Sequence, residues 1–223
     1  FPTRRSSDLL CFGAATKFSQ QHLDAHKQYQ AVLRLGQATT TGDAEGEVIQ
    51  SGPIPNCTQA DLDRLSLLMT GPQTQVPPMY SALKKDGKPL YEYARDGVDV
   101  ERSARAIEIF KLNMSCVQDE QLQPAIKVEV SCSKGTYIRT LGEDIAKALG
   151  TVGHLRALRR TQTGDFAQAG CVTLPELEAM AADSLLARFI QRSRELGIAL
   201  YLDDPFNLQD AAQWQDRGVA GRW

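Results

Sequence analysis

The most chemically suggestive stretch of the chain is Cys132-Ser133-Lys134-Gly135-Thr136-Tyr137-Ile138-Arg139-Thr140. It sets a lysine, a tyrosine and an arginine at a strand end, where binding and catalytic groups tend to collect. Arg139 falls in the first turn of an expected helix, mildly unfavourable to the helix dipole, so a carboxylate brought from elsewhere is an attractive partner. A second group, Tyr80, Lys84, Lys85, Lys88, Tyr91, Tyr93 and Arg95, interleaves cations with flat rings. That is the composition of a surface gripping folded RNA, cations meeting phosphates and rings receiving unstacked bases. On composition alone a solvated helix face with inward tyrosines is the plainer reading. Taken singly, Arg139 reads as an ion-pair partner, Tyr29 as core, and Asp43 (within Thr41-Gly42-Asp43-Ala44-Glu45-Gly46) as a turn residue.

These groups need elements to hold them. Ile126, Val128, Val130 and Cys132 alternate with Lys127, Glu129 and Ser131, the pattern of a half-buried strand. Gly135 permits a tight reversal, Thr136 can cap, and Ile138 to Leu149 keeps helical spacing until Gly150. Upstream, a short helix is expected over Thr16 to Leu23. Lys27 to Leu35 reads as a strand with Tyr29, Ala31, Leu33 and Leu35 on one face. A loop spans Thr39 to Gly46, with a short strand near Val48. Thr58 can cap a helix through about Met69, with Asp61 in its first turn. From Gly71 to Gly97 the first half is extended by Pro72, Pro77 and Pro78, and a further strand runs from Ala106 to Met114. After Gly150 the spacing predicts a short basic helix, His154 to Arg160, a strand near Gln162 to Phe166, and two helices. The first of these opens on the capping pattern Thr173-Leu174-Pro175-Glu176. Segregated strands and helices predict an α+β fold with a mainly antiparallel sheet.

The 223 residues can bury a real core, in one large domain or two smaller ones, and a formal net charge of −2 excludes a globally basic nucleic-acid binder but not a local basic face. The five cysteines are scattered, and buried, reduced thiols in a cytoplasmic protein are expected. His22, His26 and His154 form no metal-binding pattern. No apolar run approaches a membrane span. P-loop, G-x-G-x-x-G and G-x-S-x-G signatures are absent.

Seven short segments, in order, carry a resemblance. They are Gly13 to Phe18; Lys27-Gln28-Tyr29; Leu35-Gly36 with Thr39 to Gly46; Gln75 to Lys84; Leu90 to Arg95; Cys132 to Arg139; and Leu158-Arg159-Arg160. Over Leu9 to Thr173 the chain resembles the bacterial tRNA pseudouridine-55 synthases, the TruB family. The resemblance implies a partial catalytic domain at 9–173, with 1–8 a tail foreign to the family and 174–223 a divergent helical segment. It implies isomerisation of one T-loop uridine, breaking N1–C1′ and rejoining the base through C5, with no cofactor or metal. The uridine must first leave its stack at a cost of roughly a few kcal/mol. Tyr29 would stack on the extruded base and assist removal of the C5 proton. Tyr137 and the backbone of Leu158 would line the base pocket, with Lys17 and Asp43 near it. Arg139 would pair with the catalytic aspartate. Tyr80, Lys84, Lys85, Lys88, Tyr91, Arg95, Lys134, Arg159 and Arg160 would contact the RNA. The partner would be the T-arm stem-loop of tRNA, met by a cytoplasmic monomer.

The family's nucleophile sits in a motif G-H-T-G-x-L-D-P-x-A-x-G, whose aspartate would align with Phe1; Asp8 is seven positions too late. The first strand and catalytic loop are therefore expected to be lost or replaced, Arg139 to lack its buried partner, and the chain as written to be inactive. Leu200 to Trp223 matches nothing recognisable, and a complete accessory RNA-binding domain is not expected. A non-catalytic tRNA-binding module of the same lineage is the alternative. The guide-RNA-dependent branch fits less well, since Thr39 to Gly46 and Leu90 to Arg95 look like the stand-alone bacterial enzymes.

Overall fold

The computed structural model describes Lys17 and residues 19–171. Residues 1–8 and 174–223, and the helix expected after Thr173, lie outside the described residues. The elements follow as α1 (Ser19–Asp24), β1 (Lys27–Leu35), β2 (Gln37–Thr39), β3 (Val48–Ser51), α2 (Gln59–Leu68), β4 (Gly71–Gln75) and β5 (Lys84–Lys85). Then come β6 (Lys88–Pro89), α3 (Leu90–Arg95), β7 (Arg105–Gln118), β8 (Pro124–Cys132), α4 (Ile138–Ala148), β9 (Gly153–Thr163) and β10 (Phe166–Ala167). A six-stranded sheet is ordered β10-β9-β1-β8-β7-β4, with every pairing antiparallel. The fold is α+β, as the segregated pattern predicts. Two short hairpins, β2–β3 and β5–β6, stand apart from the sheet.

Alternation decides which face is core. Ala31, Leu33 and Leu35 of β1, and Ile126, Val128, Val130 and Cys132 of β8, are buried. On that face α4 inserts Ile138, Leu141, Ile145 and Ala146, while α2 adds Leu62. Leu33, Leu141, Ile145 and Leu155 lose nearly all solvent contact, each stabilising the fold by about 2 kcal/mol. The opposite face carries Gln28, Gln30, Lys111, Asn113 and Ser131. Pro72 sits in β4, an edge strand, where a missing N–H is tolerated. At α2, Thr58 and Asp61 form the reciprocal capping box.

Three expectations are corrected. The stretch His154 to Arg160 is not a helix; it belongs to strand β9, paired with β1. Register shifts explain the misleading spacing: Leu155 faces Leu33 and Leu158 faces Ala31, so three steps on β9 match two on β1. Thr136 does not cap α4, because its hydroxyl donates to the Ser133 carbonyl, 2.9 Å away, and the N-cap residue is Tyr137. The thiols are not uniformly buried: Cys132 is, with burial pushing its pKa up to about 11, whereas Cys57 is half-buried and Cys116 and Cys171 are exposed. Among the described residues no helix is long and apolar enough to cross a membrane.

The β7–β8 turn is held by one carboxylate. Asp119 accepts from Arg34 of β1 and from the backbone N–H groups of Gln121 and Gln123, at 2.9 and 3.0 Å. Burial pushes its pKa up, but the bonds from Gln123, Arg34 and Gln121 outweigh it and leave the carboxyl below its ordinary value. A lowered folded pKa adds stability above the unfolded carboxylate range, lost as pH falls through the folded value. Asp119→Asn is therefore expected to cost about 2 kcal/mol at neutral pH. Urea melts should show the gap from wild type closing below about pH 4; a gap independent of pH would contradict the assignment.

Candidate functional site

Arg139 lies in the first turn of α4, one residue after the helix begins. The turn before it reverses at Gly135, whose φ of +78° suits glycine. The guanidinium reaches two segments distant in sequence. Nη1 donates to the carbonyl of Thr41 at 3.1 Å and to Oδ2 of Asp43 at 3.2 Å, and Nη2 donates to the carbonyl of Tyr80 at 2.6 Å. The arginine side chain is 22% exposed and that of Asp43 only 5%. Arg139 thus has a buried carboxylate partner within this chain, Asp43, in addition to any catalytic aspartate it would pair with. A guanidinium carries five N–H donors; these three bonds leave Nε–H and one Nη2–H for a further acceptor.

The Asp43 loop is built to hold that carboxylate. Its Oδ1 accepts from the Thr41 hydroxyl and from the Glu45 N–H, the latter at 3.2 Å, closing an Asx-type turn. The Thr39 hydroxyl donates to the Asp43 carbonyl at 2.6 Å. The loop docks on β9, where Leu155 N–H donates to the Gly42 carbonyl at 3.0 Å. Gly42 has φ +74°, and a Cβ there would stand 2.7 Å from Oε1 of Glu143 on α4. The positive φ favours glycine.

Tyr29 packs, half-buried, against the same core cluster that holds the inner face of α4. It therefore stands on the α4 side of the sheet, with Val130 and Arg160 opposite it on the flanking strands. Leu158 is partly buried in that cluster too. Tyr137 is the N-cap of α4, and the buried Gln75 side chain bonds both its N–H and its carbonyl. Sequence reasoning assigned no role to Thr41 or Gln75; the available signal for the second was its place at the head of the Gln75 to Lys84 segment. Lys17 is exposed.

The basic cluster resolves into the β5–β6 hairpin and α3. Lys88 lies 4.8 Å above the Tyr93 ring and pairs with Asp96, while Arg95 lies 5.4 Å from the Tyr91 ring. The Tyr93 hydroxyl donates to the Lys85 carbonyl, and Lys85 itself reaches the Glu101 carbonyl. Lys84 and Arg95 are exposed, whereas Tyr91 and Tyr93 are half-buried. Lys134 pairs with Asp24 at 2.8 Å. Arg160 is 7% exposed, and Arg159 is half-buried on the other face of β9. Two open concavities of about 530 and 360 Å³ lie on the polar face around Gln28 and Ser131. Tyr29 borders the second; Arg139, Asp43 and Tyr137 line neither.

Comparison with known proteins gives this architecture its class. Residues 9–138 match the model of the TruB family pseudouridylate synthase amino-terminal domain, and residues 139–195 that of the tRNA pseudouridylate synthase B carboxyl-terminal domain. The chain belongs to the TruB family of pseudouridylate synthases. Tyr29 and Asp43 fall in the first match and Arg139 opens the second, so the cluster joins both.

Among curated proteins, the chain is 55% identical over 175 residues to the tRNA pseudouridine synthase B of Ralstonia pickettii, covering 78% of this chain and 55% of that protein. It is 52% identical over 171 residues to the protein of that name from Psychrobacter cryohalolentis, covering 77% and 46%. The chain thus spans about half the length of the curated relatives it matches. A solved Cbf5-Nop10-Gar1 complex shares the fold at a TM-score of 0.51 and 23% identity, over 84% of this chain and 43% of that one.

Removing the Asp43 carboxylate strands a partly buried cation and opens the Asx turn. Asp43→Ala and Arg139→Ala are each expected to cost about 1–3 kcal/mol. In a double-mutant cycle their effects should couple by about 1–2 kcal/mol, read by chemical denaturation. Additive costs would show that the pair does not interact in solution.

Proposed function

We propose that this chain carries the uridine-receiving core of a tRNA pseudouridine synthase that isomerises an extruded T-loop uridine. The reading rests on one observation above all: an arginine at the head of α4, fixed by Asp43, lies beside Tyr137 on the sheet face that bears Tyr29. Membership of the TruB family supplies the reaction class. Tyr29 stacks on the base and assists removal of the C5 proton, while N1 takes up a proton and the sugar passes from N1 to C5. Tyr137 and the Leu158 backbone frame the ring. The two remaining Arg139 donors receive a second carboxylate, the attacking aspartate of the family, holding it ionised and aimed. Lys17 and Asp43 serve at the pocket margin.

The hairpin and α3 meet the T-arm. Lys84 is exposed, and Lys88, Arg95, Lys134 and the tyrosines engage by exchanging their internal partners for phosphates and bases. Lys85 adds charge nearby, Arg159 would meet RNA only from the other face of β9, and Arg160, being buried beside Tyr29, acts from within the pocket and not on the RNA backbone. The protein works as a cytoplasmic monomer without cofactor or metal. One further reading, a tRNA/RNA-binding module of the same lineage without chemistry, draws on the exposed Lys84 and Arg95 side chains of the hairpin and α3.

Two measurements separate these. By fluorescence anisotropy the chain should bind a T-arm stem-loop, and Lys84→Glu with Arg95→Glu should weaken binding about tenfold and lower the salt slope by about two. Tritium release from C5-labelled RNA should be absent for residues 1–223. It should appear when the family's aspartate-bearing segment is joined ahead of Leu9. Turnover by the 223 residues alone would overturn the assignment of the nucleophile, and binding without turnover in the joined protein would favour the module.

A further inference from the structure

Gln75 ends β4, is 4% exposed, and lies 62 residues from its partner in the chain. Its Oε1 accepts from the Tyr137 N–H at 2.8 Å, and its Nε2 donates to the Tyr137 carbonyl at 3.1 Å. One primary amide thus grips both polar groups of a single residue, as a neighbouring strand would. Tyr137 is the N-cap of α4 and has no side-chain cap of its own. Its carbonyl also accepts the helical bond from Leu141 at 3.0 Å, so both its lone pairs are used. Five residues beyond Gln75, the Tyr80 carbonyl accepts from Arg139 at 2.6 Å. The segment leading into the basic hairpin is therefore stitched to the first turn of α4 at two points.

We propose that Gln75 is a positioning residue: its amide keys the root of the basic hairpin to the start of α4 and so sets Tyr137 and Arg139 where the base is received. The last clause rests on the function proposed above; the geometry of the key does not. A buried amide with one donor and one acceptor engaged is hard to replace. Alanine leaves the Tyr137 N–H without its acceptor and the carbonyl with the Leu141 bond alone, and ionised glutamate loses the donor and faces a carbonyl with a charge. Protonated glutamate offers the same donor and acceptor pair as glutamine. Burial raises a carboxyl pKa, so Gln75→Glu should behave as wild type at low pH and as a broken key at high pH.

The test uses the full 223-residue chain, nitrogen-labelled, with Gln75→Ala, Gln75→Glu and a remote core control, Met114→Ala. Tyr137 amide exchange and the Arg139 guanidinium signals are followed by NMR beside the melting temperature. In Gln75→Ala, exchange at Tyr137 should quicken at least about tenfold, and the Arg139 signals should average to those of a free side chain. Gln75→Glu should keep both wild-type features near about pH 5 and lose them near about pH 8. Met114→Ala should lower the melting temperature without either change. In parallel, wild type should prefer a T-arm RNA with the target uridine over one abasic there by about tenfold, and Gln75→Ala should erase that preference. Unaltered Arg139 signals in Gln75→Ala, the same changes in Met114→Ala, or a Gln75→Glu variant without pH dependence would each overturn the proposal. A wild-type chain with no uridine preference would refute the functional reading, and the NMR comparison would still decide the role of Gln75.

Discussion

A partly buried guanidinium must be met by acceptors on every side from which water is excluded, and in this fold that demand falls on Arg139. Its acceptors come from the Thr41–Asp43 loop and from Tyr80. Neither segment belongs to the central sheet. The arginine is thus the joint at which helix, loop and hairpin root meet. Charge-assisted bonds are about twice as strong as neutral ones, which gives this joint a reach that its small area would not.

The sheet makes the joint possible. Pairing of β1 with both β8 and β9 puts Tyr29, Ala31, Leu33 and Leu35 on one face, and α4 covers that face with Leu141 and Ile145. The shift in register near Leu33 brings Leu155 to the place where the Gly42 carbonyl can be bonded. An apolar pattern therefore fixes a polar cluster: once the helix is seated, Arg139 has few directions in which to point. The basic hairpin is a separate matter. Lys88 and Arg95 sit over its own rings, and Lys88 also pairs with Asp96, so much of its charge is held in internal contacts.

Much of this was legible in the residues. The alternation in Lys27–Leu35 and in Ile126–Cys132, the helix after Tyr137 and the Thr58–Asp61 capping box follow from local pattern, and local pattern is preserved in the fold. The need of Arg139 for a carboxylate was also legible, since a cation at a helix head asks for one. Its identity was not. Asp43 lies in a loop whose own turn chemistry explains it fully, and only tertiary docking on Leu155 brings it near α4. The strand at His154–Arg160 was hidden for a related reason, because bulges replace the two-residue period with a three-residue step that imitates a helix. Thr136 was assigned the cap on residue type, whereas Tyr137 occupies the N-cap position with no side-chain cap bond.

What the proposed function presupposes is that a pyrimidine is received on the α4 face of the sheet, between Tyr29 and the residues at the helix head. The most direct measurement is a crystal structure of the chain bound to a T-arm stem-loop. The account predicts one uridine swung out of the loop, its ring against Tyr29 and within hydrogen-bonding reach of Tyr137 or Arg139, with the hairpin along the backbone. RNA seated on the opposite, polar face around Gln28 and Ser131, with the uridine still stacked, would contradict it.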